Sequence, residues 1–332
     1  MSQIPETPET RETPARGEFD LIARHFTRPV QRAALGVGDD CALLRVTPGM
    51  QLAVSSDMLV EGRHFLSTVD PVRLGHKALA VNLSDLAACG AEPLACTLAL
   101  ALPRADEAFV AGFAQGLFAL ADAHGIELVG GDTTAGPLNI CITAIGQVPP
   151  GQALLRSGAQ AGDDVWVSGT LGDARLALEV FRGRVSLAGA DFDTVRTAME
   201  MPQPRVALGL ALRSVARSAI DLSDGLAGDI GHILKRSGVG ATLNLDALPR
   251  SAILAAQPQA LQHECLAAGG DDYELLFTAA PAQADAVRAA GRAAGVAVTR
   301  FGRIDAEPGL RWVDDSGRTL AQSFRGFDHF SG

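Results

Sequence analysis

Apolar residues run along the chain in short stretches of alternating helical and extended spacing, and the residues that interrupt them are mostly Asp, Ser and Gly. Phe19, Leu21, Ile22 and Phe26 predict a short helix over Glu18–Phe26. Extended segments follow at Cys41–Val46 and Gln51–Val54, the second delivering Ser55, Ser56 and Asp57 at its end. Asp70-Pro71 pairs an N-cap with a residue suited to the first helical position and opens a helix through Ala88. Its apolar residues (Leu74, Ala78, Leu79, Val81, Leu83, Leu86) go almost right round, so the helix is read as buried, with Asn82 and Asp85 on one face. Two long apolar strands, Leu94–Leu102 and Leu138–Val148, flank a helix over Glu107–His124 and the stretch Gly130–Thr134. That stretch reads as a loop at a strand's end. Strands this apolar call for cover on both faces, by helices or by a second subunit.

Pro149-Pro150-Gly151 reads as a linker, which divides the chain into domains over 17–148 and 149–332. Residues 1–16, rich in Pro, Glu and Thr, are expected to form a disordered tail. After the linker come a strand at Val165–Ser168, helices at Gly172–Phe181 and Arg205–Arg217, and a strand at Ser218–Ile220. A helix at Leu226–Lys235, a strand at Leu275–Phe277, a helix at Ala282–Ala294 and a strand at Val296–Phe301 complete the pattern. Both halves alternate strands and helices. The fold class is therefore α/β (α+β), two sandwiches with acidic loops converging between them.

At 332 residues each half can bury a core of its own, and a net charge of −10 argues against a nucleic-acid binder, which needs a basic face. The five cysteines include no C-x-x-C pair and lie mostly in apolar runs, as expected of a protein kept in the reducing cytoplasm. No apolar run approaches the roughly 18 residues of a membrane span. Only Lys77 and Lys235 stand against 26 arginines. Base composition explains that bias, although a compact ammonium so near Asp85 could also be a requirement of the site.

Candidate chemistry lies in the interruptions. Gly130-Gly131-Asp132 alone makes an ordinary turn, with Asp capping its own backbone. It is repeated in kind at Gly38-Asp39-Asp40, Ser55-Ser56-Asp57, Asn82-Leu83-Ser84-Asp85, Asp221-Leu222-Ser223-Asp224-Gly225 and Gly269-Gly270-Asp271-Asp272. Bare amides suit phosphate oxygens, and carboxylates among them make sense only with a hard cation between, which points to Mg²⁺. Neither a Walker A loop nor a complete Gly-x-Gly-x-x-Gly fingerprint is present; Cys41 stands where the third glycine belongs.

The ordered set Gly-Val-Gly-Asp-Asp-Cys-Ala, Ser-Ser-Asp, Lys-Ala-Leu-Ala-Val-Asn-Leu-Ser-Asp-Leu-Ala-Ala, Gly-Gly-Asp-Thr-Thr, Asp-Leu-Ser-Asp-Gly-Leu and Asp-Asp-Tyr-Glu-Leu resembles the thiamine-monophosphate kinases, from Gly17 to the closing stretch at 326–330. The resemblance implies the two-domain fold of aminoimidazole ribonucleotide synthetase, with an N-terminal mixed sheet at the core of a homodimer and a C-terminal α/β sandwich. It implies transfer of the γ-phosphoryl of ATP to thiamine monophosphate, the last step in making thiamine diphosphate, assisted by several Mg²⁺ ions. Carried over by position, it marks Asp40, Ser55, Ser56, Asp57, Asp85, Asp132, Asp221 and Asp224 as Mg²⁺ ligands. Gly131, Asp132, Arg156 and Ser223 are marked as nucleotide contacts, and His64, Asp271 and Phe327 as substrate contacts. Asp271 stands where the family often has Glu, and Phe327 where Tyr or Trp is common. A phosphate-monoester acceptor is largely dianionic by neutral pH, so no general base is assigned, neither His64 nor His76. The alternative is a Mg²⁺-dependent nucleotide sensor or phosphohydrolase on the same fold.

Overall fold

The computed structural model describes residues 17–324, 326 and 327; the expected disordered tail and positions 328–330 of the closing motif lie outside them. The chain begins with α1 (Glu18–Leu21), continued by a π-helical turn over Ile22–Phe26. Next come β1 (Ala33–Leu35), β2 (Leu43–Leu44), β3 (Gln51–Val60), α2 (Pro71–Ala88), β4 (Glu92–Leu102), α3 (Glu107–His124), β5 (Glu127–Ala135) and β6 (Asn139–Val148). The remainder holds β7 (Asp164–Ser168), α4 (Asp173–Phe181), α5 (Gly189–Glu200), α6 (Val206–Leu212), β8 (Ser218–Asp221) and α7 (Leu226–Ser237). It ends with β9 (Gly240–Asn244), α8 (Ala252–Ala255), α9 (Gln259–Ala268), β10 (Leu275–Ala279), α10 (Ala284–Ala294), β11 (Val298–Asp305) and β12 (Gly309–Val313).

Helices α2 and α3 begin and end where the sequence expects. Asp70 accepts from the amides of Val72 and Arg73, and Asp106 from that of Phe109, so local side chains satisfy amides that the first turn leaves open. The two helices pack at backbone contact. A Cβ on Gly75 would lie 1.9 Å from the Phe113 carbonyl oxygen, and one on Gly116 1.8 Å from that of Val72. Both helices lie on one face of a four-stranded sheet ordered β3-β6-β4-β5, antiparallel except for the β4/β5 pair.

A six-stranded sheet, β12-β9-β11-β7-β10-β8, forms the second layer system and is antiparallel except for β12/β9. Every residue of β7, β8 and β10 is buried, because this sheet is covered on both faces. Trp166 and Phe277 continue the core that holds α2, while Val165, Val167 and Leu276 join Ile230, Ile233 and Leu243 in a second core.

Helix α2 also meets the second sheet system. Arg73 pairs with Glu200 at 2.9 Å, His76 Nε2 donates to the Pro202 carbonyl at 2.8 Å, Lys77 pairs with Asp271 at 3.1 Å and Ser84 donates to Asp221 at 2.8 Å. These positions fall on one helical stripe. The side identified from sequence as buried all round is thus partly a polar seam.

Several expectations are corrected. The Cys41–Val46 strand shrinks to Leu43–Leu44, and the Arg205–Arg217 helix stops at Leu212. Strand β3 does not end at Val54 but continues through Ser55, Ser56 and Asp57 to Val60, in unbroken register with β6. Gly130–Thr134 is not a loop; it lies inside β5, with Gly131 opposite Leu98 and Asp132 opposite Ala99. The cover on both faces is half met within this chain, since helices cover one face of the first sheet and leave Leu52, Val54 and Met58 of β3 exposed.

Candidate active site

The acidic residues converge where β3, the C-terminal half of α2, the end of β8 and the start of α7 meet. Asn82, fully buried on α2, accepts the Asp57 amide at 3.2 Å and so ties β3 to the helix. Ser55, two residues back on the same strand face, donates to the Asp85 carboxylate. From the other side Asp221 leaves β8 held by Ser84, and the turn Leu222–Gly225 places Ser223 and Asp224 before α7. That turn is fixed by its neighbours: Leu222 O accepts the Tyr273 amide, Ser223 O the Asp271 amide and Asp224 O the Phe327 amide, at 2.8, 2.9 and 2.8 Å.

The electrostatics of this cluster are those of buried carboxylates that repel one another. Burial, followed by the charge of Asp85 and a hydrogen bond with it, raises Asp57 to about 7, and the charge of Asp224 adds to the effect. Burial raises Asp85 as well, opposed by the Ser55 hydroxyl and by the charge of Arg156. Asp221 is pushed up to about 7 by burial and then by Asp85, against the Ser84 hydrogen bond. Asp229, in the first turn of α7, is pushed up to about 8 by burial, Asp221 and Asp224, while its carboxylate accepts the amides of Asp224 and Gly225.

Three groups that bind protons more tightly when folded make stability depend on pH. Since their folded values lie above the ordinary 3.8, the stabilisation is complete below about 4 and is lost as pH rises through about 7 to 8. The melting temperature without divalent cation should fall by roughly 5 °C or more between pH 5 and pH 8. A flat or rising profile would show that these carboxylates do not repel one another.

The residues marked by resemblance fall into three groups. Ser55, Asp57, Asp85, Asp221, Ser223 and Asp224 come together, and Arg156, exposed after β6, lies close enough for its charge to lower Asp85. His64, Asp271 and Phe327 adjoin this cluster: His64 O and Asp271 both bind Lys77, and the Phe327 amide binds Asp224 O. Ser56, Gly131, Asp132 and Asp40 are not brought in. Ser56 pairs with Thr143 on the open face of the sheet, and Asp132 lies on that same face through its register with Ala99 and Cys141. Strands β3 and β5 are the two edges, three spacings or about 14 Å apart. Asp40 is exposed in a turn, its amide held by Asp39.

Sequence reasoning missed Asp229, Ser84 and Tyr273. Asp229 carried a usable signal, an acidic residue in the first turn of a predicted helix that follows directly on an acidic motif. Ser84 and Tyr273 carried none, since Ser84 binds Asp221, 137 residues away, and the Tyr273 amide binds Leu222 on the far side of α7, β9, α8 and α9.

Among the described residues no group of three or more His, Cys, Asp or Glu side chains is already arranged to hold a metal ion. The fit to Mg²⁺ is one of chemistry. Buried carboxylate and hydroxyl oxygens that repel one another form the donor set a hard divalent cation accepts.

The chain matches the N-terminal domain of AIR synthase related proteins over residues 38–148 and their C-terminal domain over 160–315. It is 45% identical over 326 residues to the thiamine-monophosphate kinase of Salmonella typhimurium, covering 96% of this chain and 99% of that one. The crystal structure of thiamine-monophosphate kinase from Stenotrophomonas maltophilia K279a superposes with a TM-score of 0.82 at 46% identity, covering 90% of this chain and 95% of that one. A solved complex of AaThiL with AMPPCP and TMP gives a TM-score of 0.75 at 28% identity, covering 86% and 89%. With such identity over nearly its whole length and both domains matched in order, the chain belongs to the thiamine-monophosphate kinase family.

Proposed function

We propose that this protein transfers the γ-phosphoryl group of ATP to thiamine monophosphate, giving ADP and thiamine diphosphate. The observation that carries the reading is the convergence of Asp57, Asp85, Asp221 and Asp224 from both halves of a chain of this family, with charges that need a cation to offset them. Mg²⁺ held by these carboxylates with Ser55 supplies the charge neutralisation that phosphoryl transfer between two anions requires. The protein's own residues do the rest. Arg156 lies near enough to the cluster for its charge to reach Asp85 and offers a cation to the nucleotide's phosphates, and Ser223 and Asp224 set the turn in front of α7. His64 Nδ1 accepts the Val60 amide at 2.9 Å, so a neutral ring carries its hydrogen on Nε2 and can only donate there. Phe327, with 52% of its surface exposed, offers its ring as a wall for the acceptor. The acceptor phosphate is dianionic at neutral pH, so no side chain takes its proton.

The test is an ADP-release assay with ATP and Mg²⁺, with and without thiamine monophosphate, and with the organic product identified. ADP only with the acceptor, together with thiamine diphosphate, is expected. Free phosphate without acceptor would make the protein a phosphohydrolase, and ATP binding without turnover a sensor. Adding Mg²⁺ at pH 8 should also restore the melting temperature lost above pH 7, and should do little at pH 5, where protons already neutralise the cluster.

We assign the domains to 17–148 and 149–332 on the ground that the first sheet lies wholly before residue 149 and the second wholly after it. The open face of the first sheet supports a homodimer. Its apolar Leu52, Val54 and Met58 are exposed, and both edges of the sheet can pair. Joining β3 of one copy to β5 of the next would bring the partner's Asp132 to the open face that carries Ser56. Val54→Asp is expected to give a monomer by light scattering and to lose most activity; a parent protein that is itself monomeric at assay concentration would remove the dimer from the reading. No helix among the described residues is long and apolar enough to cross a membrane, and the five cysteines are all free, which supports a cytoplasmic location.

A further inference from the structure

We propose that Lys77 is a positioning residue for the acceptor end of the site, acting through Asp271 and the His64 turn; the inference rests on the kinase reading above. The Lys77 side chain is 3% exposed, deep between α2 and the loop that precedes β10. Its ammonium donates to the His64 carbonyl at 3.2 Å and lies 3.1 Å from Asp271 Oδ2. An ammonium has three donors, and two are thus spent on the turn after β3 and the loop after α9.

The second of these segments has reason to need holding. Asp271 and Tyr273 both adopt positive φ, 68° and 50°, a left-handed conformation that is strained for any residue with a side chain. The loop is kept there by bonds at every point: Asp271 Oδ1 accepts from the Tyr273 hydroxyl at 3.2 Å, and the Asp271 amide donates to Ser223 O at 2.9 Å. Lys77 Nζ takes the remaining carboxylate oxygen. A carboxylate gripped on both oxygens has one orientation, and that orientation is set from α2, the same helix that carries Asp85. Lys77 and Asp85 are eight residues apart, a rise of about 12 Å. One rigid element therefore measures the distance between the acidic cluster and the acceptor end.

An ordinary buried ion pair between two layers would be a matter of stability alone. The positioning role differs in what it changes. In Lys77→Met the KM for thiamine monophosphate should rise about 10- to 100-fold while the KM for ATP stays within about twofold, since only the acceptor end loses its orientation. Adding Asp271→Asn to that variant should not raise the KM beyond the larger single effect, because the two residues act as one unit. Lys77→Gln, which keeps a donor for the His64 carbonyl, serves if Lys77→Met does not fold, and should raise the same KM. Unchanged KM for thiamine monophosphate, an equal rise for both substrates, or effects that multiply with Asp271→Asn would overturn the proposal. A parent protein without kinase activity would instead remove the reading beneath it.

Discussion

Asp57→Asn lowers kcat about a thousandfold and, without divalent cation at pH 8, raises the melting temperature; both effects should come from one substitution. The carboxylate faces Asp85 and Asp224 from β3, and burial with their charge holds it at about 7. Asparagine keeps the shape and leaves the backbone bond to Asn82 untouched, since that bond uses the Asp57 amide. What it removes is one charge from the donor set, and losing about 4 kcal/mol of transition-state charge stabilisation is a factor of about a thousand. Stability moves the other way. Above pH 7 the parent residue is ionised among like charges, and asparagine relieves that repulsion; at pH 5 it is protonated already, so the substitution should change little. Steady-state kinetics with melts at pH 5 and pH 8 check both halves. Activity within tenfold of the parent would take Asp57 out of the active site, and a lower melting temperature at pH 8 would make its role structural.

Gly131→Ala destabilises the protein by about 3–5 kcal/mol, whereas Gly130→Ala beside it costs less than about 1 kcal/mol. A Cβ on Gly131 would lie 1.8 Å from the Leu98 carbonyl oxygen, a backbone atom of the paired strand that cannot move aside, and the residue has φ +148°. A Cβ on Gly130 meets only Thr97 Cγ2, at 4.0 Å. Two glycines baring their amides in a phosphate-binding loop would be equally sensitive, so the contrast separates the strand from the loop. Urea unfolding of both variants decides it. Equal losses would count against the β4/β5 pairing described above.

What could be read in the chain before folding followed from how local the determinant is. The start of α2 is set by Asp70 with Pro71, and the ends of α3 by Asp106 and the left-handed Gly125, each within a few residues of the helix it bounds. The acidic motifs were legible as chemistry, and Ser55, Asp57, Asp85, Asp221, Ser223 and Asp224 do converge. Strand β3 was cut short at Val54 because Ser-Ser-Asp breaks the apolar alternation, while its true extent is set by ten paired residues of β6 almost ninety positions away. Helices α5 and α9 and strands β9 and β12 escaped prediction for a related reason. Their boundaries are decided by packing and pairing with distant segments rather than by caps of their own.

By itself, then, the sequence determined the α/β class, the buried helix that carries Asp85, the family and the acidic character of the site, since each depends on residue type and short spacing. Only the tertiary structure decided which carboxylates come close enough to repel one another, that Ser56 and Asp132 stand on the opposite face of the sheet from Asp57, and that Lys77 grips Asp271. The physical reason is the two-residue period of a strand. Neighbours such as Ser56 and Asp57 point to opposite sides, and which side meets α2 and which is left open is fixed by partners the chain reaches only on folding.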